Sequence, residues 1–519
     1  MYDPTHGLFK MPSKEQRRIE RNDTPLNPFK LAMMLSPLQA AMFFSGWLAW
    51  TVDAWDFFAV SLSVSHLEKQ FDRPAHDITT AITLTLLFRS VGAAIFGIIS
   101  DRYGRKYPLV INLLVIAALS LGSGFIKTYK EFLAVRSLFG LSMGSIWGLA
   151  TAVALEDMPP APRGLFSGIL QQGYAVGYLL AASVNLTWVE RSNNWRILFF
   201  LGAGLSAFAA LVRLLLPESE LFLRQKAQRD ADGQMAHSKA NAFIAEFKEM
   251  LKTYWLRCIY GILLMTGFNF LSHSSQDLYP TMLQQSKLLT AEQSSKATII
   301  SNCGAISGGL IAGYLSQYLG RRLTIILFVI ITGALIPAWI LPNSFGALSA
   351  GAFFLQFGVQ GAWGVVPIYL FEISPPFRAT YTGLVYQLGN AASSASSQIE
   401  AIGGDNLKEL NPKWRLGAPE TIKEFIPAYA KVSAILLGAV CAYLLIVVTF
   451  GCEFKGAEFQ KALPATIPGA GEQDGDHIAA TPSEKTGGGG NRHDEEDSIE
   501  HVGDQRFGRI ASHDDEKKI

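Results

Sequence analysis

Charged residues are scarce in this 519-residue chain, where Asp, Glu, Lys and Arg together make up 17%. In soluble proteins about a quarter of the residues are charged, so an ordinary soluble enzyme is not expected. An excess of either sign is also lacking, since 44 Lys and Arg offset 43 Asp and Glu for a formal net charge of +1. Without a basic surplus, a nucleic-acid partner is not expected.

Motifs for catalysis and for cofactor or metal binding are lacking as well. The four cysteines form no C-x-x-C pair and show no Cys/His spacing typical of a metal site, so we expect them to be small buried apolar residues. The chain has no nucleophile elbow and no phosphate-binding loop. We therefore expect no enzymatic activity, no cofactor and no metal.

Hydrophobic residues are abundant instead, at 49% of the chain. They are concentrated in about twelve segments of roughly 20 to 27 residues, the length that a helix needs to cross ~30 Å of hydrocarbon. The predicted spans lie near 38–64, 78–100, 107–126, 130–155, 163–188, 195–216, 257–283, 296–318, 322–343, 346–372, 378–402 and 426–450. The sequence therefore predicts an all-α polytopic membrane protein with twelve transmembrane helices in two six-helix bundles.

The spans divide the chain into five parts. These are an N-terminal segment (1–37), a first bundle (38–216), a central loop (217–256), a second bundle (257–450) and a tail (451–519). The loops on the same side as the N-terminus carry more Lys and Arg, which predicts that both termini are cytoplasmic. The tail has few aromatic residues and is predicted to be disordered. A kinase or ubiquitin ligase could act on the tails, or the C-terminal tail could be a solvating segment only.

Two loop motifs recur at equivalent places in the two bundles. The loop at 97–106 (GIISDRYGRK) is echoed at 313–322 (GYLSQYLGRR), and the stretch at 156–164 is echoed at 372–378. Two echoes at matching positions indicate that one unit was duplicated.

The first of these loops resembles the signature of the major facilitator superfamily, and the resemblance covers roughly residues 38–450. It implies two bundles enclosing a central site that faces each side of the membrane alternately. Its loop residues would form an inner gate, comprising Gly97, Asp101, Arg102, Gly104, Arg105, Glu156, Arg163, Glu372 and Arg378. In this gate Arg102 and Arg105 can pair with carboxylates such as Glu156. The second copy has Gln317 where the first has Asp101, which predicts a weaker second latch. Charges that only set topology are the alternative.

A polar stripe is predicted in span 7. Asn269, His273, Asp277 and Thr281 recur every four residues, which places them on one helix face, and Pro280 permits a kink beside them. A His one turn from an Asp can share a proton with it. A structural polar seam between the bundles is the alternative.

The same segment is similar to the signature N-x-x-[ST]-H-x-[ST]-Q-D-x-x-x-T of the fungal Jen-type carboxylate permeases, which belong with the sialate/proton symporters. The resemblance implies import of short monocarboxylates such as lactate and pyruvate across the plasma membrane together with a proton. By motif position it implies that Asn269, His273, Gln276 and Asp277 bind substrate or couple protons.

Further ionisable residues lie inside the predicted spans, where an unpaired charge is costly. Arg89, in span 2, requires an anion, either an internal carboxylate or the transported one. Arg136, in span 4, is a candidate for coupling, with fixed packing through neighbouring glycines as the alternative. Asp53 and Asp56, in span 1, could share a proton or pair with Arg136 or Arg89.

Amides occupy equivalent positions near the starts of spans 5 and 11. Gln172 and Gln387 are candidates for substrate contact, since amides can bind a carboxylate without a buried charge. Hydrogen bonding between helices is the alternative.

An energetic argument favours symport. Moving a bare carboxylate into a negative cell interior costs about 2.3 kcal/mol per 100 mV, whereas an accompanying proton makes the step electroneutral. The predicted partners are a small carboxylate anion, a proton and the lipid bilayer. A dicarboxylate, sialate or sugar-like substrate remains the alternative within transport, and a non-transporting nutrient sensor is the alternative outside it.

Overall fold

The computed structural model describes residues 25, 27–159, 161–220, 222–223, 248, 251–374, 378–411 and 424–453, all within one compact unit. Most of the N-terminal segment, the central loop and the tail predicted to be disordered lie outside these residues.

The first half consists of helices close to the six predicted spans. They are α1 (Pro37–Phe71), α2 (Ala75–Tyr103), α3 (Lys106–Ser123), α4 (Tyr129–Met143, continued by Ile146–Leu155), α5 (Arg163–Val184, continued by a π-helical turn at Asn185–Val189 and by Glu190–Ser192) and α6 (Arg196–Leu215). A short helix, Pro28–Ala32, precedes α1.

The second half repeats this order. It contains α7 (Trp255–Gln276, continued by Tyr279–Gln285), α8 (Ala291–Leu319), α9 (Arg321–Ile340), α10 (Phe345–Ile373), α11 (Arg378–Ser393, continued by Ser396–Asn406) and α12 (Tyr429–Thr449). Between α11 and α12, the strands β1 (Lys408–Leu410) and β2 (Phe425–Pro427) pair antiparallel.

Membrane-spanning character agrees with the predicted fold class. Within the described ranges, nine helices are long and apolar enough to cross a membrane, and α1, α5 and α11 fall outside these nine. Capping boxes fix the starts of several helices, as at Ser36 before α1 and Thr290 before α8, where the side chain and the third helical residue satisfy each other's backbone N–H groups.

Three spans that the sequence predicts as continuous are broken in the structure, namely α4, α7 and α11. Each break leaves a carbonyl that accepts a hydrogen bond from a side chain of the other half. Gln387 Nε2 donates to Gly144 O (2.7 Å), Tyr178 OH to Gln276 O (3.4 Å) and Thr83 Oγ1 to Ser394 O (3.0 Å). In α7 the cause is local, because Pro280 lacks the N–H that would bind the Gln276 carbonyl.

The two halves meet along two helix pairs, α5 with α8 and α2 with α11. Glycine makes the first approach possible, because a Cβ atom on Gly168 would lie 2.5 Å from the Gly309 carbonyl oxygen. At the other end of the molecule, Gln398 Nε2 donates to the His76 carbonyl (2.8 Å). The halves are therefore in contact at both ends, with polar residues enclosed between them.

Candidate functional site

An arginine–aspartate ion pair lies inside the first half. Arg89 on α2 donates from Nη2 to Asp53 Oδ2 on α1 at 3.0 Å, and each residue is 1% exposed. Arg89 Nε and Asp53 Oδ1 have no hydrogen-bond partner. Arg89 thus has an internal carboxylate as its anion, and its guanidinium keeps an N–H that can bind a second one.

Asp56 and Arg136 lie close to this pair, and Asp56 has its own hydrogen-bond partners. The Asp56 carboxylate accepts from the hydroxyls of Ser120 (2.6 Å) and Ser206 (3.0 Å). Arg136 Nη2 reaches the Asp56 carbonyl at 3.5 Å, and its guanidinium lies 4.0 Å from the Phe139 ring centroid. The carboxylate of Asp53 thus pairs with an arginine, whereas that of Asp56 is held by two serine hydroxyls.

In the second half, the predicted pairing of His273 with Asp277 is present in α7. His273 Nδ1 lies 3.0 Å from Asp277 Oδ2, and its Nε2 lies 3.1 Å from Asn390 Oδ1 on α11. Asn390 Nδ2 donates to Gln387 Oε1 (2.8 Å), and Gln387 Nε2 donates to the Gly144 carbonyl of α4. One hydrogen-bond chain therefore runs from Asp277 into the first half.

The direction of this chain determines where a proton lies. Gly144 O can only accept, so both amides are oriented with their oxygens toward His273. His273 Nε2 must then be the donor to Asn390. Its Nδ1 atom faces a carboxylate oxygen, which requires a proton between them. The His273–Asp277 pair therefore holds one proton in this geometry, either on the imidazole or on the carboxyl.

Other residues of the predicted stripe and signature also contact neighbouring helices. Asn269 Nδ2 donates to the Tyr386 carbonyl (3.1 Å), and Gln276 Nε2 donates to Gln356 Oε1 (2.8 Å). Thr281 belongs to the second segment of α7. The four stripe residues therefore do not share one uninterrupted helix, which corrects that part of the prediction.

The two candidate amides have different surroundings. Gln387 links the halves, and the hydroxyl of Ser90, next to Arg89, donates to its carbonyl at 2.6 Å. Gln172 Nε2 reaches the Gln360 carbonyl at 3.4 Å, while its Oε1 has no partner. Gln387 thus joins the hydrogen-bond network of the His273–Asp277 pair to Ser90, the sequence neighbour of Arg89, and Gln172 lies apart from this network on α5.

Aromatic residues that the sequence analysis did not select as site residues surround this network. Tyr386 stacks on Trp147 with ring centroids 4.5 Å apart, and Trp50 stacks on Tyr174 at 5.4 Å. Trp363 meets the Tyr386 ring edge-to-face at 6.0 Å. These five rings come from both halves. Four of them occupy equivalent places in the repeat, Trp147 and Trp363 on α4 and α10 and Tyr174 and Tyr386 on α5 and α11, which is a signal that the internal repeat could have provided.

The inner gate contains an ion pair in each half. In the first, Arg105 Nη2 lies 3.0 Å from Glu156 Oε1, just after Gly104, which has a φ of +107°. In the second, Arg321 binds Glu372 through Nε and Nη2, both at 3.0 Å, just after Gly320 with a φ of +92°. Two parallel bonds are the strongest geometry of an arginine–carboxylate pair, so the second latch is itself a strong ion pair.

Carboxylates that the sequence analysis missed extend both latches. Glu218 accepts from the backbone N–H of Lys106 (3.0 Å), and Glu453 accepts from the N–H groups of Arg321 (2.7 Å) and Arg322 (2.9 Å). Each caps the start of a helix, where unpaired N–H groups favour a negative charge. Burial raises the pKa of Glu453, and these backbone hydrogen bonds oppose that shift.

Two further residues of the predicted gate make hydrogen bonds within the first half. The Gly97 carbonyl accepts from the Ser100 hydroxyl (2.8 Å), and Arg163 Nε donates to the Met158 carbonyl (3.0 Å). The side chains of Asp101, Arg102 and Arg378 lie outside the described residues. Among the residues that the structure does describe, no group of three or more His, Cys, Asp or Glu could hold a metal ion.

Comparisons with known proteins agree with this architecture. Residues 40–397 match the family model described as Major Facilitator Superfamily. The chain is 38% identical to the "Carboxylic acid transporter protein homolog" of Saccharomyces cerevisiae over 82% of its own length and 69% of the relative's. It is 26% identical to the "Sialic acid transporter NanX" of Escherichia coli, over 70% of this chain and 86% of that one.

A solved structure shows the same fold. The proton:xylose symporter XylE superposes with a TM-score of 0.62 at 17% identity, over 82% of this chain and 98% of that one.

Proposed function

The chain belongs to the Major Facilitator Superfamily, among the Jen-type carboxylate permeases, and on this basis we propose that it imports short-chain monocarboxylates together with protons by alternating access. Lactate and pyruvate are the proposed substrates, with acetate as a further candidate. The superfamily consists of transporters, so the protein is not an enzyme. We place it in the plasma membrane with both termini in the cytoplasm.

The hydrogen-bond chain from Asp277 through His273, Asn390 and Gln387 to the Gly144 carbonyl is the observation that carries this proposal, because it requires a proton between His273 and Asp277. Both residues are buried, at 3% and 0% exposed, and a chain of amides joins them to the opposite half. Loss of the proton would leave a carboxylate oxygen facing a ring nitrogen lone pair and would break this chain. Proton occupancy is thereby coupled to contact between the halves.

Arg89 is the proposed receptor for the substrate carboxylate. A carboxylate can bind a guanidinium through two parallel hydrogen bonds, and Asp53 uses only one N–H of Arg89 in this structure. The substrate would take over from Asp53, which compensates the Arg89 charge when the site holds no anion. This exchange keeps the buried Arg89 charge paired both in the empty and in the loaded site. Gln387, next to Ser90, would contact the same substrate.

Electroneutral symport fits these two sites. One carboxylate and one proton enter together, so the membrane potential does not oppose uptake, and each pH unit across the membrane contributes about 1.4 kcal/mol. Uptake is therefore expected to be faster when the outside is acidic.

Replacement of Asp277 by Asn tests the proposal. Asparagine keeps the size of the side chain but cannot carry the proton, so accumulation of labelled lactate should fall on the order of a hundredfold. The measurement is uptake into liposomes that contain the purified protein, with an acidic outside solution. Asp72→Asn is the matched control, because Asp72 is exposed and its left-handed backbone conformation suits asparagine. Undiminished accumulation by Asp277→Asn would remove this residue from the coupling role.

Substrate class is tested in the same liposomes. Unlabelled monocarboxylates should compete with labelled lactate, whereas competition by dicarboxylates, sialate or sugars alone would favour the alternative substrates. Binding of lactate without any accumulation would instead identify a nutrient sensor.

A further inference from the structure

Glu400 is a buried carboxyl that the proposed mechanism does not use. It lies in the second segment of α11 and is 1% exposed. Its Oε1 atom has no hydrogen-bond partner, while its other contact is with the Ser433 hydroxyl of α12. A carboxyl held inside a membrane protein without a cationic partner is costly unless it has a role.

The location of Glu400 relates it to the His273–Asp277 pair. Asn390, the partner of His273, lies ten residues earlier on α11, on the order of 15 Å along the helix at 1.5 Å per residue. From Asn390 the helix runs toward Asp405 at its far end, where Asp405 pairs with His76. With the N-terminus inside, that end faces outward. Glu400 therefore lies between the pair and the outer surface.

Charged groups around Glu400 are few. From α7 it faces Asp277, which is near enough for the two charges to interact. From α12 it meets only the hydroxyl of Ser433, and Tyr429 of that helix is occupied by Asp405. On α2, His76 near this end pairs with Asp77 and Asp405, and β2 carries no titratable group. Among the described residues, Asp277 is thus the ionisable group that interacts electrostatically with Glu400.

Three serine hydroxyl groups on α7 and α11 lack hydrogen-bond partners. Ser396 and Ser397 precede Glu400 by four and three residues and lie on its side of α11, and Ser274 on α7 follows His273. All three are buried. Hydroxyl groups donate and accept at once, so they can pass a proton between two carboxyls.

We propose that Glu400 is the outer proton acceptor of the transporter and delivers its proton to Asp277. A proton from the outside water binds the Glu400 carboxylate and forms the neutral acid. The O–H bond of that acid then breaks as a new one forms at the Asp277 carboxylate, with the serine hydroxyls as intermediates, and Glu400 regains its negative charge. The inference rests on the proposed proton symport and adds a residue to it.

The test separates net transport from exchange. Purified Glu400→Gln protein in liposomes should lose accumulation of labelled lactate driven by an acidic outside, by about tenfold or more. It should still exchange labelled for unlabelled lactate at equal pH to within about twofold, because exchange requires no net proton movement. Glu409→Gln, an isosteric change at an exposed position in β1, is the matched control and should retain both activities.

Each outcome is decisive. If the unaltered protein exchanges lactate but does not accumulate it under a pH gradient, proton symport itself is wrong and the role of Glu400 falls with it. If the unaltered protein accumulates lactate and Glu400→Gln does too, only the role of Glu400 is wrong. Loss of exchange together with accumulation indicates a structural role and also overturns it. Should Glu400→Gln not fold, Glu400→Asp is expected to accumulate lactate with a shifted pH profile, and an unchanged profile would contradict the proposal.

Discussion

The cost of burying charge explains the contacts of the arginines in the interior. A lone guanidinium in the membrane is expensive, yet Arg89 is 1% exposed and is compensated by one carboxylate through one hydrogen bond. Arg136 is equally buried and leaves its Nε and Nη1 atoms without a partner. Both arginines therefore keep N–H groups that can bind an anion, which is what an anion site requires.

Replacement of Arg89 by Lys is predicted to impair uptake although the charge is kept. Lysine cannot form two parallel bonds to a carboxylate, so the KM for lactate should rise about tenfold or more. Initial rates of labelled lactate uptake at several concentrations measure this. Arg73→Lys, at an exposed arginine of the same half, is the control. An unchanged KM in Arg89→Lys would mean that the substrate does not bind this guanidinium.

At the scale of helices, the two halves are joined through interrupted backbone hydrogen bonding. Besides the three breaks, Ser167 of α5 inserts its hydroxyl into α10, where it donates to the Gly364 carbonyl (3.0 Å) and accepts from the Ile368 N–H (3.1 Å). These two groups would otherwise bind each other within the helix. The Ser167 hydroxyl of one half thus replaces one backbone hydrogen bond in a helix of the other half. In the predicted orientation this contact lies at the cytoplasmic side.

Ser167→Ala is therefore predicted to weaken closure of the inner side. Alanine lets α10 restore its own hydrogen bond, so the closed arrangement loses two bonds between the halves, each worth about 1 kcal/mol net. Because the inward-facing state would be favoured, lactate exchange should become slower while the protein stays folded. Ser307→Ala is the control, since that hydroxyl bonds only within its own helix in the described structure. Unchanged exchange kinetics in Ser167→Ala would contradict this role.

At the scale of the whole molecule, the duplicated halves are similar but not equal. Both have a glycine with positive φ, an Arg–Glu latch and a capping carboxylate in the same order. The second latch is bidentate, with Arg321 Nε and Nη2 each 3.0 Å from an oxygen of Glu372. Removing one partner of this buried pair is therefore expected to destabilise the protein.

Thermal unfolding of the purified protein checks this expectation. Glu372→Gln should lower the melting temperature, because removing one partner of a buried pair costs about 3–5 kcal/mol. Intrinsic tryptophan fluorescence can follow the transition, and Glu409→Gln, at an exposed position in β1, is the control. An unchanged melting temperature in Glu372→Gln would contradict a stabilising role for this latch.

The spans, the duplication and the pairing of His273 with Asp277 could be predicted from the sequence. These follow from hydropathy and helical spacing, which are local properties of the chain. The binding of Arg89 to Asp53, the contact of Asn390 with His273, and the lack of a cationic partner for Glu400 became visible only in the folded structure. The energy of a buried polar group depends on what lies across the helix interface, and those neighbours are distant in sequence.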